Sequence, residues 1–161
     1  MPSPLLTAAT STFESLALLF ADVPAGAAQL ATPLTHAVVV AFSGPTSGAL
    51  TVAVSDDVAV ALAANMLGLS PEAAAADPAL RRDALGELAN VVCGNVLPLV
   101  AGREAVFHLA APAACALPEA GGPAPLHAET LGVDLGRAVL ALHLHDPAAL
   151  RGHEAPLSLV P

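Results

Sequence analysis

Asp83, Glu87 and Asn90 stand four and then three residues apart in a stretch of helical spacing, and Gly94 follows four residues later. On a helix those intervals place all four positions on one stripe. An acid, a second acid and an amide in a row have definite chemical uses. A carboxylate pairs with a partner's cation, while an amide both donates to and accepts from a water molecule and does not titrate near neutral pH. Gly94 has no side chain to block the approach of a partner. The plainer reading of the same stripe is the solvated face of an amphipathic helix, as most polar helix stripes are.

Other groups carry weaker signals. His143 and His145 are two apart in a β-like run, so their side chains share a face, and Asp146 follows. Two strand histidines facing solvent are the expected reading; two metal ligands without an evident third are the alternative, and no metal site is expected. His108 and His127 are isolated and read as structural. Residues 43–48, Ser-Gly-Pro-Thr-Ser-Gly, lack the lysine and following helix of a phosphate-binding loop and read as a hairpin turn. Arg81 and Arg82 precede Asp83 and are expected to form local ion pairs of small energy. Cys93 and Cys115 are far apart and read as two free, partly buried thiols of a reducing compartment.

These side chains need a scaffold. The chain has 161 residues, 55% hydrophobic and only 12% charged, which suits one domain, 1–161, with a real core. Its core segment is expected at about 10–145, with 146–161 as a tail. Much of the apolar content is alanine, so Phe13, Phe20, Phe42 and Phe107 are the few large core pieces expected. The net charge is −9, with five arginines and no lysine. That balance excludes the basic patch of a nucleic-acid-binding protein and disfavours an anionic membrane surface. It favours a partner with exposed lysine or arginine. No secretory signal and no unbroken apolar run of membrane-spanning length is visible, so a cytoplasmic location is expected.

Apolar spacing predicts a first helix over 10–22, and a connection or short strand over 27–34. Residues 36–43 and 49–54 form a hairpin pattern around the glycine-proline cluster. A helix follows from about 56 to 67, stopped by Gly68. Residues 70–78 read as a loop or short helix. The longest helical pattern, 79–100, carries the stripe; Leu85, Leu88, Ala89, Val92, Val96 and Leu99 are its expected core face. Pro98 should kink or fray its last turn. A strand over 104–110, a proline-rich loop over 111–125 and a second hairpin, 126–133 with 137–145, complete the pattern. Helices grouped around hairpin-linked strands imply an α+β fold with a largely antiparallel sheet and helices packed on it.

The segment from Asp83 to Asn95 resembles the motif of the CheC/CheX/FliY family of bacterial chemotaxis phosphatases: Asp or Ser, three residues, Glu, two residues, Asn. Pro112 stands near the place of the family's following proline, one residue short. Gly94-Asn95, Phe42-Ser43-Gly44 with Gly48, and Asn65-Met66-Leu67-Gly68 are also similar, so the resemblance spans about 10–145. The first helix carries Glu14 but Ala17 where a second Asn would stand. One intact site per chain resembles the CheX type rather than the CheC type.

The resemblance implies a hydrolase that dephosphorylates the phospho-aspartate of a CheY-like response regulator in chemotaxis or two-component signalling. It implies catalytic roles for Glu87 and Asn90 and partner-docking roles for Asp83 and Gly94. Asn90 would orient the attacking water, and Glu87 would pair with the regulator's active-site lysine. The chain itself would bind no cofactor, because the receiver supplies Mg²⁺. CheX-type members resemble dimers joined through their sheets, and Val139, Leu140, Ala141, Leu142 and Leu144 in the last strand could support an edge-to-edge pairing. Two rival readings remain open: a non-catalytic receiver-binding module of the same fold, and a purely structural dimerisation domain.

Overall fold

In a computed structural model that describes residues 1–119 and 121–145, three helices begin on one device. A Ser or Asp side chain caps the first free amides, and proline occupies the next position, where its missing N–H costs nothing. Ser3 starts α1 (Pro4–Ala17), Ser70 starts α4 (Pro71–Ala76) and Asp77 starts α5 (Pro78–Ala101). The remaining elements are β1 (Ala21–Asp22), α2 (Ala27–Leu30), β2 (Leu34–Ser43), β3 (Gly48–Ser55), α3 (Asp56–Leu67), β4 (His108–Leu109), β5 (Ala113–Ala114), β6 (His127–Val133) and β7 (Gly136–Leu144).

The strands form one antiparallel sheet in the order β1-β6-β7-β3-β2-β4, with β5 also paired to β2. Register sets its faces. Val38 lies opposite Val52, and Val40 opposite Leu50. Val52 in turn lies opposite Leu140, and Leu50 opposite Leu142. All six are buried, as strand periodicity requires for one core-facing side. Helices α1, α3 and α5 pack together over this sheet, and α5 lies against β2. The fold is therefore the α+β class expected, a sheet of antiparallel strands with helices on it. Gly48 is tied to its place. A Cβ there would overlap the His143 carbonyl on β7 and the Phe42 ring on β2.

Several local expectations are corrected. The first helix runs over 4–17 rather than 10–22. Leu18 adopts a left-handed conformation, and the Leu19 amide bonds back to the Phe13 carbonyl at 2.9 Å, which ends the helix early. Leu19 is consequently buried and Phe20 is exposed, so Phe20 is not a core residue. Leu5, Ala8 and Ala9 are buried instead, which extends the core toward the N-terminus. Residues 27–34 contain α2, followed at Leu34 by the start of β2. The strand expected over 104–110 shrinks to His108–Leu109, and the 111–125 loop includes β5.

On α5, Leu99 is exposed and Leu97 buried, the reverse of the expected stripe. Pro98 does not stop the helix, which continues to Ala101, and the Gly102 amide donates to the Pro98 carbonyl at 3.0 Å. By length and composition α5 would suffice to cross a bilayer, although no unbroken apolar run marks it in the sequence. Here most of its large apolar residues are committed to the core: Leu85, Leu88, Val92, Val96 and Leu97 are buried, with Ala89 beside them. Strand β7 offers no edge for pairing with a second copy, because β3 and β6 flank it on both sides. The tail 146–161 lies outside the described residues.

Candidate functional site

Helix α5 is held by α1, α3 and β2, and this fixes which of its sides remains free. Asp83, Glu87, Asn90 and Gly94 are all exposed on that free side. The spacing inferred from the sequence therefore holds: the four positions form one stripe, with neighbours about 5–6 Å apart at Cβ. Among the described residues, no hydrogen bond or ion pair engages the side chains of Asp83, Glu87 or Asn90.

The contrast with the other asparagines is informative. The chain has three: Asn65, Asn90 and Asn95. Asn65 Nδ2 donates to the Ala17 carbonyl at 2.8 Å and so holds the end of α1. Asn95 Nδ2 donates to Thr12 Oγ1 at 3.1 Å and so ties α5 to α1. Asn90 alone serves no such bond. Its amide keeps its donors and its acceptor for a molecule from outside.

A groove runs alongside the upper half of the stripe. Arg82, Asp83 and Glu87 form its polar wall; Val38, Gly86, Pro112, Ala113 and Ala114 form the rest. Its volume is about 240 Å³. Two local features build it. Strand β5 pairs with β2 at Val38 and Val39, which brings the chain back beside α5. Gly86 then lets Pro112 close in, since a Cβ at 86 would sit 3.2 Å from the Pro112 Cβ. Pro112, far from the stripe in sequence, thus belongs to its surroundings. Arg82 was read from the sequence only as a local ion-pair residue, and Gly86 and Val38 were not singled out. The available signal was Gly86, because a glycine inside a helix costs about 1 kcal/mol relative to alanine and usually has a packing reason.

The remaining candidates have structural partners. Arg81 does not pair with Asp83 as expected. Its Nη1 donates to the Ala74 and Ala75 carbonyls at 3.0 and 2.6 Å, closing the end of α4, and its Nε lies 3.8 Å from Asp56. His143 Nε2 is 3.1 Å from the Pro123 carbonyl, and His145 Nδ1 is 3.1 Å from Ser47 Oγ. Asp146, the third member of that group, lies outside the described residues. Among the described residues no cluster of three His, Cys, Asp or Glu could hold a metal ion. Burial pushes the Cys93 thiol up to about 12 and raises that of Cys115 as well. Ala17, at the place of a second family Asn, is fully buried, while Glu14 is exposed.

No curated protein matches the chain. Solved structures do match in fold. The chemotaxis protein CheX from Vibrio vulnificus superposes with a TM-score of 0.68 at 18% identity, over 88% of this chain and 94% of that one. CheX from Desulfovibrio desulfuricans gives 0.64 at 20% identity, over 88% and 97%. A CheX–CheY–BeF3–Mg complex from Borrelia burgdorferi gives 0.57 at 16% identity, over 89% and 96%. The family model described as chemotaxis phosphatase CheX matches residues 36–121, a segment that holds the β2–β3 hairpin from His36 on, the whole of α5 with its stripe, and Pro112. On that match the chain belongs to the CheX family of chemotaxis phosphatases.

Proposed function

We propose that this chain removes the phosphoryl group from the phospho-aspartate of a CheY-like response regulator, within chemotaxis or two-component signalling in the cytoplasm. The observation that carries the reading is the free carboxamide of Asn90, one turn from the free carboxylate of Glu87 on an exposed face. Family membership and the fold shared with a CheX found in complex with CheY support a receiver as the partner.

The reaction is hydrolysis of an acyl phosphate. Water attacks phosphorus, the bond from phosphorus to the aspartate oxygen breaks, and inorganic phosphate leaves beside a regenerated carboxylate. The receiver brings the phosphoryl group, Mg²⁺ and a lysine, so the phosphatase has mainly to place the water in line. Asn90 accepts from and donates to that water and fixes its orientation. Glu87 pairs with the receiver's lysine and sets the register of docking. Asp83 adds attraction at the edge of the contact, beside the groove. No covalent intermediate forms on this chain, so no Ser, His or Cys nucleophile is required.

Phosphate release from a panel of phosphorylated receivers tests the reading. Wild-type chain is expected to accelerate release from at least one receiver well beyond that receiver's own rate. Binding without acceleration would select the non-catalytic receiver-binding module instead, and binding to no receiver the dimerisation domain. A homodimer built through the sheet would have to use a surface other than the edge of β7, which has none.

A further inference from the structure

Pro98 lies inside α5, four residues after Gly94 on the same exposed side. In an α-helix the carbonyl of residue 94 accepts from the amide of residue 98. Proline has no amide hydrogen, so the Gly94 carbonyl is left without its helical donor. The pyrrolidine ring also presses against the carbonyl four residues earlier and tilts it away from the helix axis. Glycine at that position tolerates the displacement. Apart from its chain neighbours and the helix's own nearby backbone, nothing lies within 4 Å of where a Gly94 Cβ would be, so this residue's outer side is open to an approaching partner. The helix nonetheless continues to Ala101. The result is a backbone acceptor deprived of its i+4 donor one turn beyond Asn90, on the stripe that also carries two unpaired carboxylates.

We propose that the Gly94 carbonyl is a built docking acceptor, freed by Pro98, and that it takes a hydrogen bond from a lysine or arginine of the receiver. The inference rests on the proposed function, because it supposes that a receiver docks on this stripe. A cationic donor fits the surroundings: Asp83 and Glu87 give the stripe negative charge, and the chain as a whole carries −9. A carbonyl suits the position because it adds an acceptor without a side chain that would hold the partner away from Asn90.

The test compares wild type with Pro98→Ala, which restores the amide and the helical bond. In the free wild-type chain the Gly94 carbonyl-carbon resonance should lie upfield of that of Gly86, whose helical bond is intact. On adding a receiver that the wild type dephosphorylates, activated with beryllofluoride and Mg²⁺, the Gly94 resonance should move downfield. In Pro98→Ala it should already lie downfield and stay there. The variant should bind that receiver about 3- to 10-fold more weakly, the range of one hydrogen bond, with KM raised in step and kcat unchanged. A Gly94 resonance unmoved by receiver, or an unchanged Kd in the variant, overturns the inference while leaving the phosphatase reading intact. If the wild type binds no receiver, the proposed function itself falls, and the docking role of Gly94 with it.

Discussion

Residue identity decides what each polar group on this chain can still do. Three asparagines share one chemistry, but Asn65 and Asn95 are committed to the backbone of α1 and to Thr12, and Asn90 is committed to nothing. Glu87→Ala should therefore weaken receiver binding and turnover together, and Asp83→Ala should cost only a few-fold, since an exposed charge pair is worth about 0.2–1 kcal/mol. Both are read from KM and kcat on one phospho-receiver. The cysteines give a second check. Burial holds the Cys93 thiol at about 12 and raises Cys115, which is partly exposed. Native protein should thus react with an aromatic disulfide reagent at Cys115 alone, slowly, and at Cys93 only after denaturation. His36 supplies a pH signature. Burial lowers its pKa below the usual 6.5, against the opposing pull of Asp56. The unfolded chain then binds more protons than the folded one in that window, so stability is lost as pH falls from 6.5 toward the folded value. Thermal melts between about pH 7.5 and 5 should show a smaller decline for His36→Gln than for wild type.

At the scale of elements, spacing along α5 was legible, because a polar stripe repeats at three and four residues whatever the helix packs against. Its core face was legible only in part. Leu97 and Leu99 exchange places relative to expectation, since the neighbours of the last turns, and not the wheel alone, decide which leucine is buried. The true start of α1 was readable in Ser3-Pro4, the same signal that starts α4 and α5. Its end was not, because a leucine in the left-handed region gives no glycine to announce it. Strand β5, two residues long, has no pattern of its own, and only its pairing with β2 reveals that Pro112 reaches Gly86. That contact makes a prediction. Gly86→Val should displace Pro112, reshape the groove and cost about 1–3 kcal/mol of stability through overpacking. Chemical denaturation measures the loss, and KM for phospho-receiver should rise while kcat changes less.

For the whole molecule, the alternation of the hairpins and the grouping of helices were enough to give an α+β fold with an antiparallel sheet. The strand order was not, because the pairing that joins the two hairpins, β7 with β3, is long-range and no local pattern encodes it. The core also begins earlier than the resemblance implied, at Leu5. Leu5→Ala should accordingly destabilise the whole domain by about 2–5 kcal/mol, measured as a lower denaturation midpoint with an unchanged slope. The fold as a whole fixes α5 on three sides and leaves one stripe free, and the central claim is that this stripe works through Asn90. It is tested most directly by single-turnover loss of phosphate from a phosphorylated CheY-like receiver, with wild type and Asn90→Ala compared at saturating, independently measured binding. Wild type should accelerate the loss, and Asn90→Ala should bind equally well yet lose about 100-fold or more of the acceleration. Equal acceleration by both chains would contradict the assignment of Asn90 as the residue that orients the water.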